Sequence, residues 1–201
     1  MSLLPLGRHA QPARESGLPE LGARFRGFLD ELDRREGYVA GHSVAVCRTA
    51  LRIARRLEVG ERELSVLAYG ALLHDIGKVF IDAALLSKQS VLTEVESETI
   101  RLHPVLGEAL LAPTVEDPDV LGVVRWHHER WDGSGYPDGL AGAEIPLYAR
   151  IVGTADAYVA MRETRTYRHA LELGEAVDEL ERLVGAQFDG SCVDALVGTL
   201  A

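Results

Sequence analysis

Metal-binding side chains lie on or just beyond the helical segments of this chain, and this pattern constrains its fold most. Apolar residues recur at the spacing of one helix face in segments 46–57, 64–72 and 120–124. Five histidines and two aspartates follow these faces: His42, His74, Asp75, His103, His127, His128 and Asp156. A single histidine on such a face is more often a core residue, but burying two aspartates without a counter-charge is unfavourable. The sequence therefore predicts an all-α bundle whose helices converge on metal ions.

Local signals mark where two of the predicted helices begin. Thr93 and Glu96 form a capping-box pattern at the start of a helix that leads towards His103. Asp117 is a predicted N-cap, with Pro118 at the first helical position of the segment that leads to His127-His128. Both helices therefore end beside predicted ligands.

Length and charge limit the classes of protein to consider. A chain of 201 residues can form one domain, predicted over residues 19–201 after a flexible leader at 1–18. The net charge of −10 argues against a nucleic acid polymer as partner. No apolar run approaches the roughly 20 residues that cross a bilayer, which predicts no membrane segment. Two cysteines give no disulfide framework and favour the cytoplasm.

Two segments carry a family resemblance. The segments HDIGK at 74–78 and HHERWDGSGYP at 127–137 resemble motifs of the HD-GYP family of HD-superfamily phosphohydrolases. The resemblance runs from about Gly37 to Ala195. It implies an HD-superfamily helical bundle that hydrolyses cyclic di-GMP to linear pGpG, or further to GMP. It also implies two divalent metal ions as cofactors, iron or manganese.

The resemblance also assigns a role to each ligand. The first ion takes His42, His74, Asp75 and Asp156, and the second takes His103, His127 and His128. Asp75 bridges the ions and is thereby a catalytic residue, and a bridging hydroxide completes both sites. Two ions about 3.5–4 Å apart stabilise the attacking and leaving oxygens together. Because neighbours on a helix diverge by about 100°, adjacent ligands are expected to address different ions unless one bridges.

Three cationic side chains are candidates for catalysis or phosphate binding. Lys78 is predicted to contact a phosphate oxygen of the substrate and to stabilise developing charge, with a solvated lysine beyond a helix end as the alternative. The chain has only two lysines, which favours the catalytic role. Arg165 and Arg168 match the Arg-Pro-Tyr-Arg segment of the family, with Thr166 in place of proline. They are predicted to bind substrate phosphates, with surface salt bridges as the alternative.

The glycine-rich loop after His127-His128 has several open roles. Tyr136 is predicted to bind substrate by stacking on a guanine, or to hold the loop against the bundle. The resemblance adds a third role, because the loop Gly135-Tyr136-Pro137 is a candidate docking surface for a diguanylate cyclase (GGDEF) domain. A purely structural loop is the remaining alternative.

Three positions depart from the family pattern. Tyr38 stands where some members have a glutamate that supports a third ion, so two ions are expected. Val159 replaces an aspartate that supports the ligands, and this loss is expected to loosen their orientation. Val39 in place of threonine is a milder change. All seven expected ligands and Lys78 are present, which favours activity.

Three functions follow as hypotheses. The first is a cyclic di-GMP phosphodiesterase, which the intact His127-His128 pair and the glycine-rich loop favour. The second is a hydrolase of another nucleotide, such as a different cyclic dinucleotide. The third is a metal-containing module that binds the nucleotide or docks a protein without turnover, a reading that Val159 keeps open.

Overall fold

The architecture is entirely helical. The computed structural model describes residues 41–164 and 169–200, and these contain no β-strand beyond one isolated bridge between Val184 and Phe188. Nine α-helices follow one another in the described part of the chain: α1 His42–Arg56, α2 Glu61–Leu73, α3 Ala83–Leu86, α4 Glu94–Arg101, α5 His103–Leu111, α6 Pro118–Trp126, α7 Leu147–Arg162, α8 Leu173–Arg182 and α9 Gly190–Val197. Short 3-10 helices span Ile76–Phe80 and Gly142–Glu144. The all-α prediction is confirmed, while the predicted leader, Tyr38 and Val39 lie outside the described residues.

The predicted helix starts are confirmed. Thr93 Oγ1 accepts a hydrogen bond from the Glu96 backbone N–H at 3.3 Å, and Glu96 Oε2 accepts from the Thr93 N–H at 2.8 Å. Asp117 caps α6 through its side chain, and Pro118 is the first helical residue. These caps fix the starts of α4 and α6, so the ends of both helices fall beside the candidate ligands.

Two apolar clusters hold the helices together. The larger one joins α1, α2, α7, α8 and α9, and its most buried members include Val46, Ile53, Leu67, Ile151, Leu180 and Leu196. The smaller cluster packs against the 3-10 helix Ile76–Phe80 and α6, and it contains Leu73, Ile76, Leu111, Val120 and Val124. The apolar faces predicted at 46–57, 64–72 and 120–124 supply residues to these clusters, so the polar residues beside them are carried to a common centre.

None of the helices in the described ranges combines the length and the apolar character that a bilayer-spanning helix requires.

Candidate metal centre

The seven predicted ligands meet in two adjoining groups. Within the described residues, one group contains Asp75, His103, His127 and His128, and the other contains His42, His74 and Asp156. In each group one ligand atom from every member lies within 4.8 Å of the others. This division matches the one that the family resemblance implies, with one difference. The resemblance assigns Asp75 to both ions, whereas the distances group it with His103, His127 and His128.

Close helix packing at Gly77 brings the two groups together. A Cβ atom on Gly77 would lie 1.9 Å from the His103 carbonyl oxygen and 2.5 Å from the Gly107 amide nitrogen. Only glycine therefore lets the 3-10 helix approach the start of α5 this closely. At Gly153 on α7, a Cβ would lie 2.6 Å from the His127 carbonyl oxygen. The glycine of the HDIGK segment thus has a packing role that positions His103 beside Asp75.

Three of the histidines are oriented by nearby backbone carbonyls. Each Nδ1 atom lies at hydrogen-bond distance from the carbonyl oxygen three residues earlier: His74 to Ala71 at 2.8 Å, His103 to Ile100 at 2.8 Å and His127 to Val124 at 3.0 Å. When Nδ1–H donates to a carbonyl, the lone pair is on Nε2, the atom that faces the centre. This is the tautomer that a metal ion needs.

A different kind of partner orients His42. Its Nδ1 atom lies 2.9 Å from Glu163 Oε2, and its Nε2 atom lies 3.1 Å from Asp156 Oδ1. No sequence motif pointed to Glu163, but one signal existed. Glu163 follows Asp156 by seven residues, about two helical turns, so both carboxylates lie on one face of the chain at α7.

The two oxygens of Asp75 face different groups. Asp75 Oδ2 lies 3.2 Å from His74 Nε2 and 2.7 Å from Lys78 Nζ. Asp75 Oδ1 lies 3.1 Å from His103 Nε2 and 3.8 Å from His127 Nε2. A carboxylate in this arrangement can donate one oxygen to each of two cations.

Two polar atoms of the centre are buried without a hydrogen bond. Within the described residues, His74 Nε2 and Asp75 Oδ1 have no hydrogen-bond partner, although Asp75 Oδ1 lies 3.1 Å from His103 Nε2. Buried polar atoms are nearly always paired, so such orphans require an explanation. A divalent cation coordinated by imidazole nitrogen and carboxylate oxygen would satisfy both atoms. The residues present therefore fit the metal ions that the family resemblance implies.

The protonation states of the second group also suit a metal ion. Burial lowers the pKa of His127 to about 4, and burial likewise lowers the pKa of His128 well below its ordinary value. Both imidazoles are therefore neutral at pH 7. Burial alone would raise the pKa of Asp75, but the charges on His74 and Lys78 outweigh it and hold that pKa well below the ordinary range.

The first group holds protons when no cation is present. Burial alone would lower the pKa of His42, but hydrogen bonds to Asp156 and Glu163 outweigh it and raise the pKa to about 10. The pKa of Asp156 is held below its usual value because the hydrogen bond from His42 outweighs burial. A cation entering this group must therefore displace a proton from His42.

Two expectations about local geometry are corrected. Lys78 lies beyond the end of α2 at Leu73, in the 3-10 helix Ile76–Phe80. The alternative of a solvated lysine is wrong, since Lys78 is only 7% exposed and pairs with Asp75. The adjacent residues His127 and His128 do not address different groups. They follow the end of α6 at Trp126, where helical divergence no longer applies.

The glycine-rich loop packs against the metal centre. The Tyr136 ring stacks on His128 with centroids 5.0 Å apart and planes 27° from parallel. Buried Glu129 accepts hydrogen bonds from the Asp138 and Gly139 N–H groups at 2.7 and 3.0 Å. Glu129 was not predicted, although it follows His128 directly. Through this stacking Tyr136 holds the loop against the bundle, and its role in binding a guanine stays a prediction.

A cavity of about 340 Å³ opens beside the centre. His127, His128 and Asp156 line it on one side, and the cationic side chains Arg101, Arg130 and Arg150 also line it. Arg130 donates to Gln187 Oε1 at 2.7 Å, and Arg150 pairs with Asp189. Guanidinium groups at this position suit an anionic ligand. The predicted phosphate-binding residues Arg165 and Arg168 lie outside the described residues.

Comparisons with known proteins relate this chain to a family. The model of the HD domain family matches residues 27–192. The cyclic di-GMP phosphodiesterase response regulator RpfG of Xanthomonas campestris is 37% identical over 188 residues, which are 90% of this chain and 50% of that protein. The 3'3'-cGAMP-specific phosphodiesterase 3 of Vibrio cholerae is 35% identical over 82% of this chain and 36% of its own length. The chain thus spans half or less of these curated relatives.

A solved structure shares the fold. Bd1817, described as an HDG"Y"P protein from Bdellovibrio bacteriovorus, superposes with a TM-score of 0.66 at 23% identity, covering 79% of this chain and 51% of that one. At this identity the likeness concerns the fold alone. The match to the family model covers most of the sequence and includes the residues of both groups from His42 to Asp156. The chain therefore belongs to the HD domain family, as its resemblance to HD-GYP members predicts.

Proposed function

We propose that this chain hydrolyses the phosphodiester bonds of cyclic di-GMP to linear pGpG, or further to GMP, at a centre for two divalent metal ions. The observation that carries the proposal is the arrangement of Asp75, whose two oxygens face separate groups of histidines. The orphaned atoms His74 Nε2 and Asp75 Oδ1 support two cations there. Iron and manganese are the proposed ions, because imidazole and carboxylate ligands suit both.

Each residue of the centre has a proposed role. When bound, the two ions would lower the pKa of water and offset negative charge at phosphorus. His42, His74 and Asp156 would hold one ion, and His103, His127 and His128 the other. Asp75 would contact both ions.

Lys78 is proposed to act in the reaction itself. Its ammonium group lies 2.7 Å from Asp75 Oδ2 and is almost completely buried. A fixed cation at this distance from the bridging carboxylate stabilises charge that develops on a nonbridging phosphate oxygen.

The cavity is the proposed substrate site. It adjoins His127, His128 and Asp156 and is bordered by three arginines, which suits the two phosphates of a cyclic dinucleotide. Arg101 lies over the Tyr136 ring, with its guanidinium carbon 5.3 Å from the ring centroid, and this pair is the proposed contact for a base of the substrate. Arg165 and Arg168 remain proposed phosphate ligands.

3'3'-cGAMP is proposed as a second substrate, because one relative is named for it. The Vibrio cholerae protein described above is named a 3'3'-cGAMP-specific phosphodiesterase and shares 35% identity with this chain. The two substrates differ in one base and contain the same kind of phosphodiester bond. We therefore propose cyclic di-GMP first and 3'3'-cGAMP second.

Turnover assays on the metal-loaded protein test these proposals. The chain, purified under anaerobic, reducing conditions and loaded with Fe²⁺ or Mn²⁺, is incubated with each nucleotide, and products are separated by chromatography. We expect linear pGpG from cyclic di-GMP, at a higher kcat/KM than for 3'3'-cGAMP. The reverse ratio would favour the second substrate. Tight binding without product would instead favour the module that binds the nucleotide without turnover.

Docking of a GGDEF domain at Gly135-Tyr136-Pro137 is a separate proposal. The loop is fixed from below by Glu129 and His128, which gives it a defined surface. Co-elution with a purified GGDEF domain, lost on Pro137→Glu while metal content is unchanged, is the expected result. Equal co-elution of both variants would contradict docking at this loop.

A further inference from the structure

The carboxylate of Glu163 contacts His42, one of the candidate metal ligands. Glu163 follows the last residue of α7, and its side chain is 15% exposed. Its Oε2 atom lies 2.9 Å from His42 Nδ1, across 121 residues of sequence. The opposite nitrogen of the ring faces Asp156. Glu163 therefore contacts the His42 imidazole on the side that faces away from the other candidate ligands.

The helix start at His42 favours a carboxylate beside the imidazole. His42 is the first residue of α1, and its N-cap, Gly41, supplies no side chain. The first turn of a helix exposes N–H groups, which cannot accept a hydrogen bond from an imidazole Nδ1–H. A negatively charged acceptor beside this turn is also favoured by the helix dipole.

The aspartate that the family pattern places on α7 to support the ligands is absent from this chain. Val159 stands at the position where the family pattern has an aspartate, and it is 6% exposed within the larger apolar cluster. Glu163 follows it by four residues, one helical turn further along the chain. The carboxylate behind His42 therefore comes from Glu163, and Val159 contributes to packing instead.

We infer that Glu163 is a positioning residue, which holds the His42 imidazole with Nε2 directed at the ion of the first group. The inference rests on the proposed metal centre, but not on the identity of the nucleotide. A carboxylate that accepts from Nδ1–H fixes the ring orientation and makes Nε2 a stronger ligand. Glu163 acts through His42, without contacting the substrate.

Metal binding to the full chain, measured without nucleotide, tests the inference. Metal-free wild type, Glu163→Ala, Glu163→Gln and the control Glu98→Ala are titrated with Mn²⁺ by calorimetry. Glu98 is an exposed residue of α4, so its substitution removes the same carboxylate away from the centre. We expect Glu163→Ala to weaken one of the two Mn²⁺ sites by about 10- to 100-fold and to leave the other within about twofold.

The conservative variant separates positioning from folding. Glu163→Gln keeps an acceptor oxygen and loses the charge, so its weakened site is expected to be intermediate between wild type and Glu163→Ala. The Co²⁺-loaded proteins should show an altered visible absorption band in Glu163→Ala and a wild-type band in Glu98→Ala. Circular dichroism of the metal-free proteins checks that all four are folded.

Two results would overturn the inference. One is equal Mn²⁺ affinity and an unchanged Co²⁺ spectrum in Glu163→Ala and wild type. The other is a lowered thermal midpoint in both Glu163 variants with both Mn²⁺ affinities intact, which would make the role purely structural. A wild type that binds two ions but releases no linear dinucleotide would refute the proposed reaction and leave the test of Glu163 valid.

Discussion

The histidines of the centre are held in two different ways. His74, His103 and His127 follow the last turn of a helix, where carbonyl groups lack partners inside the helix, and each Nδ1 bonds to such a carbonyl. His42 begins a helix, and its Nδ1 bonds to Glu163, which lies 121 residues away in sequence. His103 also begins α5, but the Ile100 carbonyl of the preceding helix still lies within reach of its Nδ1. A ligand just after a helix end is thus oriented by its own backbone, whereas His42 is oriented by Glu163, a residue distant in sequence.

Asp75→Asn should have the largest effect, because it alters the residue that both groups share. The variant loses the negative charge between His74 and His103 and leaves buried Lys78 without its carboxylate partner. We expect both ions and all turnover to be lost, an effect larger than the roughly 10- to 100-fold typical of a residue that only orients a ligand. Elemental analysis and product assays measure it, and retention of two ions per chain would contradict a shared carboxylate.

The pair His42→Ala and His128→Ala separates the two groups. Each variant is expected to lose the ion of its own group and to bind one Mn²⁺ per chain. Turnover should be abolished in both, because the proposed reaction needs two ions. Circular dichroism confirms the fold, and undiminished turnover in His128→Ala would remove the second ion from the account.

Gly77→Ala tests the packing that brings His103 to Asp75. The added Cβ would lie 1.9 Å from the His103 carbonyl oxygen, so the 3-10 helix or α5 must shift. We expect the free energy of unfolding to fall by about 1–3 kcal/mol, together with weaker Mn²⁺ binding. Gly174→Ala on α8 is the control, because a Cβ there meets nothing within 4 Å. Urea denaturation of both variants gives the comparison, and equal stabilities would contradict the packing role.

The last prediction concerns the pH dependence of metal binding. Without metal, His42 has a pKa of about 10 and is protonated at pH 7, so a cation must displace that proton. Mn²⁺ affinity at the first group should therefore rise about tenfold per pH unit for each displaced proton between pH 6 and pH 8. His127, with a pKa of about 4, is already neutral there and adds no such dependence to the second group. Calorimetric titrations at three pH values measure both slopes, and equal slopes would contradict the assignment.

Local patterns made much of the fold predictable. The capping residues Thr93 and Asp117 act within one helical turn, so the starts of α4 and α6 could be inferred from neighbouring residues in the sequence. The seven clustered residues were predictable for a related reason, because apolar faces with adjoining histidines must converge in a bundle.

Long-range contacts were not predictable in the same way. The 3-10 helix at Lys78 packs closely on α5 through Gly77, and no local spacing encodes this contact. Glu163 meets His42 only because the end of α7 reaches the start of α1. The turn that directs His127 and His128 into one group likewise depends on where α6 ends.

A crystal structure of the Mn²⁺-loaded protein with anomalous diffraction tests the central claim most directly. The account predicts two anomalous peaks about 3.5–4 Å apart, with one oxygen of Asp75 on each. The peak nearer His42 and His74 should belong to one ion, and the peak nearer His103 and His127 to the other. A single peak, or two peaks that do not share Asp75, would contradict the account.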